Sequence, residues 1–126
     1  MCFENLLLLV SSLLGQDRQK VILDSDLGDD IDDAFVIALV ISPEFEVLGL
    51  VMDYGNTPKR VQIACRLLYE IGREDIPIVI GRKTKEHYSS QFYWGEGFKK
   101  IKPVKTGAAD FIIQSLRKYS KDAILL

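Results

Sequence analysis

Between positions 24 and 33 the chain reads Asp24-Ser25-Asp26-Leu27-Gly28-Asp29-Asp30-Ile31-Asp32-Asp33, six carboxylates in ten residues. Apolar runs flank it: Val21-Ile22-Leu23 before, and Phe35-Val36-Ile37-Ala38-Leu39-Val40-Ile41 after. Two buried elements therefore carry between them a loop of like charges. Each carboxylate raises its neighbours' pKa values, and burial adds to the effect. A bound cation removes the conflict, and clustered carboxylates suit hard, oxygen-seeking ions such as Ca²⁺ or Mg²⁺. A twelve-residue calcium loop of the EF-hand type is excluded, because its last position, normally Glu, falls on Phe35.

The elements around the loop follow from their apolar spacing. Residues 20–24 read as a first strand around the continuous apolar run Val21-Ile22-Leu23, as expected of a strand buried on both faces. A helix is predicted over 31–41, capped by Asp29 or Asp30, apolar nearly all round and hence buried, and stopped by Ser42-Pro43. A second strand covers 47–52. Thr57 as N-cap and Pro58 at the first helical position start the next helix. Val61, Ala64, Leu67, Leu68 and Ile71 keep helical spacing along it, and Gly72 is placed to end it in a left-handed cap. Residues 76–80 form a third strand, with Pro77 tolerated near its start.

Residues 81–105 lack periodicity and hold Tyr88, Phe92, Tyr93, Trp94 and Phe98 among lysines. Long irregular segments of this kind often serve as lids or binding loops. The alternative is a loop simply packed over the sheet. His87 lies within it and is read as a surface residue; Arg82, Lys83 and Lys85 are read as a solvated run. A last helix spans about 107–119, with Ala109, Ile112, Leu116 and Tyr119 on one face, and residues 123–126 begin a fourth strand. Strands alternating with helices imply an α/β fold: an open, mostly parallel sheet with flanking helices. Ligands in such sheets bind beyond the carboxyl ends of the strands. The aspartate loop, Asn56 and the aromatic loop follow strands one, two and three, so all three belong to that edge.

Length suits one small domain, and a net charge of -2 without a basic stripe argues against nucleic acid as a partner. Cys2 and Cys65 match no metal spacing and make no disulfide framework. Residues 1–15 stand apart. Asn5 to Gly15 reads NLLLLVSSLLG, right for a signal-peptide core and too short for a membrane span. No Lys or Arg precedes it. The expectation is an exported protein, periplasmic or secreted, with the domain over 16–126; a loosely ordered N-terminus on a cytoplasmic protein is the alternative.

The arrangement resembles the inosine-uridine-preferring nucleoside hydrolases. The residues that carry the resemblance are Asp24-Ser25-Asp26-Leu27-Gly28 after the first strand, Asp32-Asp33-Ala34 at the helix start, Gly55-Asn56 after the second strand, and Gly72-Arg73-Glu74-Asp75-Ile76-Pro77 leading into the third. The resemblance implies a Rossmann-like core and Ca²⁺-dependent hydrolysis of the N-glycosidic bond of ribonucleosides, giving ribose and base. In that scheme the ion holds the attacking water and Asp26, also a ligand, removes its proton. Asp33 is the second metal ligand. Asp32 binds the ribose hydroxyls, Asn56 supports the ribose and water, and Asp24 stands behind the ligands. The implied partner is a nucleoside or related N-riboside, and the implied full-length form is a homo-oligomer without a membrane span.

This sequence departs from the shortest form of the motif. Two extra residues separate Gly28 from the Asp-Asp-Ala, leaving Asp29 and Asp30 to cap the helix or reach the metal. The family's usual histidine near Tyr93-Trp94-Gly95-Glu96-Gly97 is absent. Family members run to more than twice this length, so the chain is expected to be a portion, cut after the fourth strand, with little activity alone. Two other functions fit parts of the pattern. A haloacid-dehalogenase-like Mg²⁺ phosphatase would use Asp24 as nucleophile and Asp26 as acid, but leaves Asp32-Asp33 and Asn56 unexplained. A non-catalytic nucleoside- or sugar-binding module would use the aromatic loop for stacking.

Overall fold

The computed structural model describes residues 18–126. The apolar N-terminal run, and with it the expected signal peptide, lies outside them. Strands β1 (Gln19–Ser25), β2 (Phe45–Met52), β3 (Ile78–Ile80) and β4 (Ala123–Leu125) form one sheet in the order β3-β2-β1-β4. All three pairings are parallel. Helices α1 (Asp32–Val40), α2 (Thr57–Glu70), α3 (Phe92–Gly95, one turn) and α4 (Ala108–Tyr119) connect them. The α/β sheet with flanking helices is therefore the fold.

Alternation along the strands divides the core into two layers. Val21, Leu23, Leu50, Met52 and Ile78 face α1 and α2, where Ile37, Val40, Val61, Ala64 and Leu68 meet them. Ile22, Val51 and Val79 face α4, against Phe111, Ile112 and Leu116. A register shift between Val21 and Ile22 sets Ile22 opposite Gly49. Gly49 is required there: a Cβ would lie 2.5 Å from Phe111 Cζ.

The strand order turns at β1. Strands β2 and β3 extend to one side of it and β4 pairs on the other. Asp24 N–H donates to Leu126 O at 2.8 Å, and Leu126 N–H to Ile22 O at 3.0 Å, so the β4 pairing runs up to the aspartate loop. Open parallel sheets bind ligands at this kind of switch point.

Several local expectations need correction. Helix α1 is not buried all round: Ile31, Phe35 and Leu39 are 67%, 68% and 64% exposed. Only one stripe, Ala34, Ile37, Val40 and Ile41, meets the sheet layer. Neither Asp29 nor Asp30 caps α1; its N-cap is Ile31, with no side-chain cap bond. Likewise Asn56, not Thr57, is the N-cap of α2, and the Thr57 hydroxyl instead donates to Gly81 O at 2.9 Å. Strand β3 begins two residues late, since Ile76 N–H is spent on the turn at Arg73 O. On α4 the inward face is Ala108, Phe111, Ile112 and Leu116, while Ala109 points outward. The Gly72 expectation holds: φ is +71°, and Gly72 and Arg73 N–H groups return to Tyr69 and Leu68 oxygens in the Schellman pattern.

Candidate active site

Strand β1 ends in Asp24-Ser25, and the buried Ser25 starts the turn that presents the aspartates. Its hydroxyl oxygen accepts from Leu27 N–H at 3.1 Å, closing a tight side-chain turn. Gly28 then adopts φ +109°, and a Cβ there would press against Ile63 and Phe92. The chain enters α1 with Asp32 and Asp33 in its first turn, where the helix dipole favours negative charge.

Asp26 and Asp33 are brought side by side. Partial burial, a hydrogen bond and repulsion from Asp26, and the charge of Asp32 push the Asp33 carboxyl up to about 6, against a pull from Ser25. Two like charges this close repel, and a cation between them would relieve the repulsion. Asp24 is also raised, first by loss of solvent and then by Asp53 at the end of β2. Asp24, Ser25, Asp26, Asp53, Tyr54, Leu125 and Leu126 line an open cavity of about 470 Å³ over the ends of β1, β2 and β4. Asp32 is exposed.

The Asn56 side chain is placed differently. It is buried at the same sheet edge, but its amide donates to Glu86 Oε2 at 3.3 Å rather than to an aspartate. Tyr54 and Gly55, with φ of 59° and 70°, turn the chain into it.

Residues 82–105 fold back onto the aspartate loop. Ser89 Oγ donates to Gly28 O, and Gln91 Nε2 to Asp29 O at 2.9 Å. Phe92 is buried beneath, whereas Tyr88 and Tyr93 stand out in solvent at 74% and 76% exposure. The segment is thus part core and part exposed aromatic rim. His87, read as a surface residue, instead lies with Nε2 3.2 Å from Asp29 Oδ1 and packs edge-on to Phe92. Of the basic run, Lys83 pairs with Glu86 and Lys85 Nζ donates to Tyr54 Oη at 2.8 Å.

Arg60 is the residue that sequence reasoning missed. Its side chain is fully buried, and Nη2 donates to Asp29 Oδ2 at 2.7 Å. Burial raises the Asp29 carboxyl, but bonds and charge from Arg60 and His87 outweigh this and hold it below its ordinary value. A signal did exist. Arg60 precedes Ala64 and Leu68 at spacings of four and eight, so it occupies the apolar stripe of α2, where a charge demands a partner.

The donor set fits a hard cation as two carboxylates, Asp26 and Asp33, with Asp32 next to them. Among the described residues no group of three or more His, Cys, Asp or Glu converges as a metal cluster. Ca²⁺ takes six to eight oxygens, so the pair supplies part of a ligand set.

A parallel α/β sheet carrying paired carboxylates at its switch point belongs to the class of open α/β folds that bind ligands at that edge. Within that class the match is specific. The family model for inosine-uridine preferring nucleoside hydrolases matches residues 21–126. The chain belongs to that family. It is 32% identical over 117 residues to "Probable uridine nucleosidase 2" of Arabidopsis thaliana, covering 80% of this chain and 36% of the relative. It is 34% identical over 124 residues to an uncharacterized protein of Schizosaccharomyces pombe, covering 85% and 38%. A plant nucleoside hydrolase structure superposes with a TM-score of 0.69 at 32% identity, covering 85% of this chain and 38% of that one. An inosine-guanosine nucleoside hydrolase does so at 0.64 and 25% identity, covering 84% and 37%. The chain thus spans little more than a third of the length of the relatives it matches. Among the described residues no helix is long and apolar enough to cross a membrane.

Proposed function

We propose that this chain supplies the cation- and ribose-binding edge of a nucleoside hydrolase that cleaves ribonucleosides to ribose and base, with Ca²⁺ as cofactor. The observation that carries the reading is the Asp26–Asp33 pair at the switch point of a family-matched sheet. When bound, the ion supplies charge that orients water and lowers its pKa. Asp26 and Asp33 hold it through their carboxylates. Asp26, at the open cavity, also takes the proton from the attacking water. Asp32, exposed beside the pair, accepts hydrogen bonds from the ribose hydroxyls. The cluster's negative charge stabilises positive charge developing on the sugar as the bond to the base breaks. Asp24 backs Asp26 from the strand end. Asn56, released from or shared with Glu86, reaches the ribose. The family match favours this chemistry over the Mg²⁺ phosphatase, which has no use for Asp32-Asp33.

The test is ribose release from a panel of ribonucleosides in Ca²⁺ and then in chelator. It is run on this chain and on a fusion continuing it with the C-terminal portion of the Arabidopsis relative. The expected result is release by the fusion, abolished by chelator and by Asp26→Asn, with at most trace release by this chain alone. Phosphate release from phosphomonoesters in Mg²⁺, with nucleosides untouched, would overturn the proposal.

A further inference from the structure

The aspartate loop carries six carboxylates, yet a single cation from another element anchors its main chain. Arg60 projects from the first turn of α2 into the interior. Its Nε donates to Tyr54 O at 2.7 Å. Its Nη1 donates to the carbonyl oxygens of Asp26 and Leu27, the latter at 2.9 Å. Its Nη2 donates to Asp29 Oδ2. Four of the five guanidinium N–H groups are thereby used, and Nη2 also lies 3.4 Å from His87 Nε2. The end of β2, the aspartate loop and the segment after β3 therefore meet on one side chain.

We propose that Arg60 is the positioning residue of the aspartate loop: its buried guanidinium, neutralised by Asp29, fixes the main chain of Asp26 and Leu27 so that the Asp26 carboxylate stays beside that of Asp33 for a divalent cation. The inference rests on the reading that this pair takes a cation. Its physical basis is independent of that reading. A buried guanidinium left unpaired is costly, so the loop cannot shift without stranding it. Asp26 and Asp33 repel when ionised, and without an anchor the loop would relieve the repulsion by splaying. Held together beforehand, the pair need not be reorganised on binding, which favours affinity. The two extra residues of the motif then gain a purpose, because Asp29 is the counter-charge Arg60 requires. Gly55 follows from the same cluster: a Cβ there would stand 2.3 Å from His87 Cε1.

Arg60→Lys tests the proposal, because an ammonium keeps the charge but cannot serve divergent acceptors as a planar fork does. Hydrogen exchange is followed by mass spectrometry on the full chain without metal, and Ca²⁺ affinity is measured by calorimetry at a temperature where the variant is folded. Exchange in the peptide spanning 24–34 is expected to quicken at least tenfold, with β2 and β3 peptides unchanged, and Ca²⁺ affinity to fall at least tenfold. Ile78→Ala, buried in β3 away from the loop, is expected to lower the melting temperature while changing neither loop exchange nor affinity. If Arg60→Lys does not fold, Asp29→Asn is expected to give the same local signature more weakly. Unchanged loop exchange, unchanged affinity, or a rise in exchange spread evenly over the sheet would overturn the proposal. A wild-type chain that takes up no Ca²⁺ counts against the cation reading; the exchange comparison still decides whether Arg60 holds the loop.

Discussion

Asp33 is where a single residue makes the site measurable. Its carboxyl titrates near 6 in the fold against an ordinary 3.8. A raised acid favours the fold when protonated, so its contribution is complete below about pH 4 and is lost as pH rises through 6. The metal-free chain is therefore expected to melt at a lower temperature at pH 7 than at pH 4.5. Asp33→Asn should remove most of the difference, leaving the smaller part due to Asp24, which is shifted the same way. Asp29 and Asp75 are shifted downward, and their contribution falls away only as pH drops below the ordinary carboxylate range. They leave this window flat. Thermal scans at the two pH values check the prediction, and an equal slope in Asp33→Asn would contradict it. At this scale the aspartates were legible because their type and spacing are written in the chain. The partners of Asp29 were not: Arg60 and His87 lie 31 and 58 positions away, and only the packing of α2 and the segment after β3 brings them in.

Elements were legible where local chemistry decides them. The left-handed end of α2 could be read from Gly72, which meets nothing within 4 Å. Gly72→Ala is expected to cost about 1 kcal/mol from backbone strain alone. Gly49→Ala should cost about 1–3 kcal/mol by overpacking, because its neighbour is the Phe111 ring. Urea denaturation separates the two causes: adding Phe111→Leu should recover part of the Gly49→Ala loss and none of the Gly72→Ala loss. What the sequence could not decide was which face of α1 meets the sheet. Its nine residues are apolar nearly all round, so periodicity carries no direction, and Phe35 and Leu39 finish on the outside. The two N-cap readings failed because helix starts are fixed by tertiary contacts that the local sequence does not contain. Thr57 lies one residue inside the helix, after Asn56, and its hydroxyl donates to Gly81 O, a contact 24 residues distant.

For the whole molecule, β-α alternation was enough to specify a parallel sheet and to gather the aspartate loop, Asn56 and the segment after β3 at one edge. It did not specify that β4 pairs with β1 rather than β3, and that pairing is what makes the edge a switch point. The outer face of α1 and the exposed Ile124, Leu125 and Leu126 at the β4 edge give the chain apolar surface beyond its core. Such surface favours association. Sedimentation velocity is expected to show concentration-dependent self-association, reduced by Phe35→Gln with Leu39→Gln. Those two exposed changes should leave stability within about 0.5 kcal/mol. The proposed function stands or falls with the aspartate loop as a divalent-cation site. Calorimetric titration of Ca²⁺, with Mg²⁺ as the comparison, into the chain and into Asp26→Ala/Asp33→Ala tests it most directly. Ca²⁺ uptake by the chain is expected, with weaker uptake of Mg²⁺ and none by the double variant. Equal Ca²⁺ uptake by both chains, or a clear preference for Mg²⁺, would contradict it.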